Sequence, residues 1–311
     1  MLKFFPPPYH KNLSTHIYAN TWTSTTAYPF AMISGGAGSL SNGSIIVCGG
    51  DISFSSGVGT ANCYRFDPGL LTWTSIASLA QTYYYCAATG MGNNSIFFVA
   101  GSNSKGDGTT SVYRYDASLN QFSNLAPYPI GIVFPTVVTL TNGSIISWGG
   151  GNNSGDVVAN AYIFNPGANS WATIANYPFA ASQHGGALLP NGSVLSVCGD
   201  TSSSGYVSSP NCYIYSLTTS AWIQVNSYPI ATSFNPCVAL ANGSILSIAG
   251  SLNATSDTTN CYTYSNNIWY SASSLPVALD SGLAAVLGNG SVIYIGGETL
   301  SNVVSTCYIY N

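Results

Sequence analysis

A closed, all-β propeller of six blades is the fold this sequence predicts, and three observations predict it. One motif recurs six times: LSNGSIIVCGG ending at Gly50, GNNSIFFVAG at Gly101, LTNGSIISWGG at Gly150, LPNGSVLSVCG at Gly199, LANGSILSIAG at Gly250 and LGNGSVIYIGG at Gly297. Its turn asparagines, Asn42, Asn93, Asn142, Asn191, Asn242 and Asn289, are separated by 51, 49, 49, 51 and 47 residues, the spacing of propeller blades. The chain also ends one strand short and begins with one to spare, as a ring closed by its own termini requires.

Each motif predicts a hairpin. An Asn-Gly pair supplies the two positive-φ positions of a type I′ turn between an apolar strand and a β-branched one. The strand that follows, such as Ser144-Ile-Ile-Ser-Trp148, is apolar enough to be buried on both faces. Its terminal glycines allow a sharp turn where neighbouring blades crowd. Third strands with period-two alternation come next: Cys63-Tyr-Arg-Phe, Val112-Tyr-Arg-Tyr, Ala161-Tyr-Ile-Phe, Cys212-Tyr-Ile-Tyr, Cys261-Tyr-Thr-Tyr and Cys307-Tyr-Ile-Tyr310. Outer strands centre on Trp73, Phe122, Trp171, Trp222 and Trp269, but none follows Tyr310. The surplus outer strand is Thr21-Trp-Thr-Ser24, so the ring is expected to close by pairing the two chain ends, which removes exposed sheet edges. Residues 1–17, with Pro6-Pro-Pro8, read as an extended arm, and 18–311 as one propeller. His10 and His16 in that arm fit no metal-ligand spacing, and no metal or cofactor is expected.

Composition narrows the function. Hydrophobic residues make up 46% of the chain and charged residues 5%, so the surface is solvated by hydroxyls and amides in place of ions. A net charge of -4 with five basic residues, Lys3, Lys11, Arg65, Lys105 and Arg114, cannot neutralise a phosphate backbone, and nucleic acid is not an expected partner. Few carboxylates also imply that stability depends weakly on pH. No apolar run is long enough to span a membrane. Met1-Leu-Lys-Phe-Phe5 runs straight into the prolines without the apolar core of a signal peptide.

The eight cysteines, Cys48, Cys63, Cys86, Cys198, Cys212, Cys237, Cys261 and Cys307, include no CxxC pair, and disulfides are expected before zinc. The trio 48, 63, 86 is echoed by 198, 212, 237, so the two are expected to be bonded alike. Cys48 with Cys63 and Cys198 with Cys212 are preferred among 105 pairings. An oxidised chain points outside the cell, to a mature exported form or a particle subunit; the alternative is a hyperthermophile's cytosol.

The apolar run with terminal glycines, the Tyr of the third strand and the Trp of the fourth resemble the kelch repeat from about residue 18 to the end. Ala-Gly at 100–101 and 249–250, Cys-Gly at 198–199 and Phe122 depart from its pattern. Enzymes are found among kelch-like propellers, but their requirements are not met. A copper-radical oxidase of the galactose oxidase kind needs two His and two Tyr around one metal. A sialidase-type site needs an Arg cluster. Phosphate loops and Ser nucleophile elbows are absent as well.

In four-stranded antiparallel blades the motif turns lie on one face of the ring. The connections 51–61, 102–110, 151–159, 200–210, 251–259 and 298–304 lie on the other, where function is expected. The blade crossings repeat Tyr28-Pro, Tyr128-Pro, Tyr177-Pro and Tyr228-Pro, which read either as loop packing or as an aromatic collar that stacks on sugars. Ser34, Tyr85, Phe134, His184, Phe234 and Asp280 are expected at the channel entrance, with His184 and Asp280 as the acid or base of an alternative, glycan-acting enzyme. Nine N-glycosylation sequons stand at Asn12, Asn42, Asn93, Asn142, Asn152, Asn191, Asn242, Asn253 and Asn289. Sugars there would supply hydration that the side chains lack. They would also crowd the motif-turn face and leave the other for contacts. The function these features predict is an extracellular structural or binding glycoprotein, a subunit of a surface layer, filament or virus particle, whose partners are other protein subunits or cell-surface glycans.

Overall fold

The computed structural model describes residues 20–53, 57–99, 101–203 and 207–311. Six four-stranded antiparallel sheets form the blades of a ring, with no helix among the described residues. Blade 1 runs outward through Gly36–Ser39, Ile45–Cys48, Cys63–Asp67 and Thr72–Ser75; blades 2 to 5 begin at Ala87, Thr136, Gly185 and Cys237 in the same order. Blade 6 takes Leu283–Val286, Val292–Ile295 and Cys307–Tyr310 from the C-terminus and Trp22–Thr25 from the N-terminus. The closing register is Trp22 with Tyr310, Thr23 with Ile309, Ser24 with Tyr308 and Thr25 with Cys307, one residue later than the strand expected.

Five of the six motif turns differ from expectation; in blade 2 Asn93 and Asn94 both take positive φ, 38° and 60°, as a type I′ turn requires. The Leu40 N–H donates to the Ser44 carbonyl at 2.8 Å and the Gly43 N–H to the Leu40 carbonyl at 2.9 Å. Only the glycine has positive φ, 81° at Gly43, and Asn42 does not. This is a type I turn followed by a glycine bulge, in which one left-handed residue suffices. The asparagine acts through its side chain instead. Its Oδ1 accepts the N–H of the serine two residues on, at 2.9–3.0 Å, for Asn42, Asn142, Asn191, Asn242 and Asn289.

The core sits between blades. All four residues of Ile45–Cys48, Ile145–Trp148, Val194–Val197 and Val292–Ile295 are buried. Residues of adjacent blades pool into shared clusters, such as Ile46, Cys48 and Cys63 with Ile96, Phe98 and Tyr113. Where the terminal Gly-Gly is replaced, Cys198 and Ala249 keep the left-handed conformation (φ 59° and 48°) seen at Gly49 and Gly149 (67° and 63°).

The outer strands are fastened by indoles. Trp22, Trp73, Trp171, Trp222 and Trp269 each donate Nε1–H to a main-chain carbonyl of the preceding crossing, those of Ser273, Thr26, Ala126, Ala175 and Asn226, at 2.9–3.2 Å. Phe122 in blade 2 has no N–H and packs edge-on against Tyr113 instead.

Cys48 and Cys63 lie opposite each other in adjacent strands and are bonded. Cys86, Cys198, Cys212, Cys237, Cys261 and Cys307 are free thiols, which corrects the expectation that both trios are bonded alike. The position facing the first residue of the third strand holds Cys48 in blade 1, but Val197 in blade 4, Ile248 in blade 5 and Ile295 in blade 6. Cys198 falls one residue beyond the register, and its Sγ accepts from the Thr232 hydroxyl at 3.3 Å.

Candidate functional site

The innermost strands carry Gly, Ala, Ser, Thr and Val, and these small side chains leave a central cavity of about 450 Å³ that runs to the motif turns at Leu40 and Ser41. At the opposite end the channel meets six residues, one per blade, all with positive φ: Ser34, Tyr85, Phe134, Gln183, Phe234 and Ser281, at 50–58°. Holding a non-glycine residue there costs on the order of 1–2 kcal/mol. Hydrogen bonds around the ring hold it. Ser34 N–H donates to the Ser281 carbonyl at 2.9 Å, Phe134 N–H to that of Tyr85 at 3.0 Å, and Phe234 N–H to that of Gln183 at 3.1 Å, so the six are tied in three pairs from adjacent blades.

The side chains of this ring divide into two kinds. Tyr85 and Phe134 are stacked, with ring centroids 3.9 Å apart, and Phe234 meets Phe134 edge-on at 5.6 Å. These three half-buried rings line a cup of about 260 Å³ together with Ile33, Gln183, Ser281, Asp200, Ser202, Ser203 and Glu298. Asp200 and Glu298 enter from the connections between second and third strands. Each is held by main-chain pairing with a crossing, Asp200 with Ser182 and Glu298 with Asp280. Asp200 Oδ1 also accepts the N–H groups of Ser202 and Val207 at 2.9 and 3.0 Å.

The two residues expected to do acid–base work are each displaced by one position from the ring, where Gln183 and Ser281 stand instead. His184 is buried, 4.7 Å from Tyr177 and 6.3 Å from Trp148 between ring centroids, and neither ring nitrogen has a partner. Desolvation lowers its pKa to about 3. It wedges against the adjacent strand end, where a Cβ on Gly149 would lie 2.6 Å from His184 Cε1. Asp280 is buried behind Glu298, and burial together with the neighbouring Glu298 and Asp257 carboxylates pushes its pKa up to about 8. Glu298, raised by burial and then by Asp257, reaches about 7. His184 lines a cavity of about 160 Å³ that contains no carboxylate, and Asp280 one of about 70 Å³ that contains no histidine.

The Tyr-Pro crossings form no collar. Tyr28, Tyr128, Tyr177 and Tyr228 are 2–3% exposed and stand edge-on to Trp73, Trp171, Trp222 and Trp269 at 4.8–5.0 Å. They are keys between blades, and burial raises the pKa of each hydroxyl. Among the sequon asparagines, Asn42, Asn93, Asn142, Asn191, Asn242, Asn253 and Asn289 are exposed and Asn152 is half-buried; Asn12 lies outside the described residues, as do His10 and His16. An Oδ1 that accepts the Ser or Thr N–H leaves Nδ2, the atom that carries a glycan, outside that bond.

Glu298, Asp200 and Gln183 are cup residues that sequence reasoning passed over. A signal existed for two of them, since Asp51, Asp200 and Glu298 all follow the terminal glycine of the motif. Among the described residues no group of His, Cys, Asp or Glu is arranged to hold a metal ion, and no helix is long and apolar enough to cross a membrane.

No protein-family model matches the chain, and no curated protein matches its sequence. Its fold is similar to that of the solved structure of YjhT, with a TM-score of 0.77 and 14% identity over 92% of this chain and 96% of that one. At that identity the likeness establishes the architecture alone: this chain is a six-bladed β-propeller.

Proposed function

We propose that this protein is an extracellular binding glycoprotein, a kelch-like propeller that meets cell-surface glycans at its channel mouth. It would do so as a subunit of a surface layer, filament or virus particle. The observation that carries the reading is the cup: three aromatic rings line it beside residues with hydroxyl, amide and carboxylate groups. Sugars present C–H faces to aromatic rings and hydroxyls to polar groups, so this composition complements them. The cup is preformed by the paired left-handed ring, so little ordering cost falls on binding. Its volume suits the terminal residue of a glycan better than a long chain. The exposed sequons support the same setting, because sugars on the motif turns would leave this face open.

A glycan-acting enzyme is less well supported, since His184 and Asp280 line different cavities. The test is a glycan array followed by titration calorimetry. Saturable binding that Phe134→Ala weakens at least tenfold is expected; binding unaffected by Phe134→Ala and by Phe234→Ala would overturn the assignment of the cup.

A further inference from the structure

We propose that the cup selects a glycan carrying a free, protonated amine, an amino sugar, over its neutral or N-acetylated counterpart. This rests on the glycan reading above and names the class of sugar. The aromatic and the acidic residues each favour a cation. Tyr85, Phe134 and Phe234 line the cup, and an aromatic face carries the negative side of the ring quadrupole, which attracts an ammonium group; the Tyr85 and Phe134 faces that stack on each other are closed to it. Asp200 and Glu298 line the same cup, Asp200 with its Oδ1 held by the Ser202 and Val207 N–H groups.

Among the described residues no Lys or Arg lines the cup to offset them. Arg65 is engaged with Ser44, Arg114 with Ser95 and Asp116, and Lys105 sits in the turn closed by Asn103 and Gly106. None of the three lines the cup. The groups that face Glu298 are all acidic or neutral. Asp280 pairs with it through main-chain bonds of 3.0 and 3.1 Å, Asp257 comes from the long hairpin Ile245–Asn253 and Ser256–Ser265 of blade 5, and Asp51 approaches from blade 1. Tyr294 lies behind Asp280. Asp280 Oδ1 is buried without a hydrogen-bond partner.

Burial first, and this concentration of carboxyl groups second, explain why Glu298 and Asp280 hold their protons up to about 7 and about 8. An arriving ammonium group would supply the missing counter-charge, favour the ionised carboxylate and displace a proton into solvent. Amine binding near neutral pH is therefore coupled to proton release, and a neutral sugar has no such coupling.

The experiment compares three tetrasaccharides of the same linkage, a fully deacetylated glucosamine tetramer, its N-acetylated form and cellotetraose. It uses the full chain and calorimetry at pH 6.5 in two buffers of different ionisation heat. The expected result is an affinity for the amine form at least about tenfold above the other two, with proton release for that ligand only. Tetramethylammonium, which is always charged, should displace the amine tetramer, and more effectively at pH 8 than at pH 6. Glu298→Gln should reduce the amine-to-neutral affinity ratio about tenfold. If cellotetraose or the N-acetylated tetramer binds as tightly, the amine inference falls while the glycan reading stands. If none of the three binds, the amine inference falls, while the glycan reading falls only if the array also shows no binding that Phe134→Ala weakens.

Discussion

Trp22 lies opposite Tyr310, with ring centroids 5.0 Å apart, and its indole N–H donates across to the carbonyl of Ser273 in the neighbouring blade. One side chain therefore joins the two ends of the chain to each other and blade 6 to blade 5. Trp22→Ala should destabilise the propeller by about 2–4 kcal/mol, the sum of a half-buried aromatic and an indole hydrogen bond. Chemical denaturation checks this, and a loss under about 0.5 kcal/mol would show that closure does not depend on it.

Phe122 interrupts the ring of indole hydrogen bonds made by the other five outer strands. Phe122→Trp is expected to restore a bond to the crossing that precedes blade 2 and to stabilise by about 0.5–1.5 kcal/mol. Denaturant midpoints of the two proteins measure it. A lower midpoint would mean that Tyr113 and Tyr115, which now pack on Phe122, cannot accommodate the larger ring.

Alkylation of the denatured, unreduced protein followed by mass spectrometry should label six thiols and leave Cys48 and Cys63 unlabelled. Their bond closes a separation of 15 residues, so Cys63→Ser should cost about 3 kcal/mol in the chain-entropy description. Finding Cys198 and Cys212 oxidised instead would reverse the assignment.

Asn142 serves its turn whether or not it carries a sugar, because Oδ1 accepts the Ser144 N–H at 2.9 Å. In unglycosylated material Asn142→Ala should still cost about 0.5–1.5 kcal/mol. Native material is expected to show a glycan mass at Asn42, Asn142, Asn191, Asn242 and Asn289. Bare asparagines at all five would leave turn chemistry as the whole reason for the repeated tripeptide.

Stability should fall as pH rises, contrary to the weak dependence that so few charges suggest. Asp280 and Glu298 hold their protons in the folded state up to about 8 and about 7, whereas unfolded carboxyls ionise near about 4. Between those values the native state binds more protons than the unfolded one, so unfolding becomes easier with increasing pH. The contribution is fully present below about pH 4 and lost above about pH 8. Melting temperatures from pH 4 to 9 should decline through this window, most steeply above about pH 6.5, because below it the buried His184, lowered to about 3, contributes in the opposite direction; Asp280→Asn with Glu298→Gln should abolish the decline. A flat wild-type curve would contradict the buried acid pair.

The ring was legible because its signals are local and repeated. Blade number and strand order follow from six motifs and their spacing, and chain closure follows from counting outer strands at Trp22 and after Tyr310. The Cys48–Cys63 bond was accessible for the same reason, since both residues flank one connection. What the repeat could not convey was anything that depends on a single residue of register. Cys198 follows Val197, and the shift turns a bonded pair into free thiols. His184 and Asp280 lie one place from the channel ring, and the shift puts them behind it.

The asparagine turns show the same boundary at smaller scale. The sequence determined by itself that five of the six motifs turn at Asn-Gly. Only the structure decided that in the five Asn-Gly turns glycine alone takes the left-handed position while asparagine receives the serine N–H, whereas in blade 2 Asn93 and Asn94 are both left-handed. The Tyr of four crossings is an aromatic beside a proline in sequence, and burial against the Trp of the same blade makes it a key. The cup is the largest difference, because Tyr85, Phe134, Asp200, Phe234 and Glu298 come from five blades and meet only when the ring is closed. Strand pairing is a property of neighbouring segments and leaves its mark along the chain. A site on the ring's axis depends on where the innermost strands of all the blades converge, and no stretch of sequence records that.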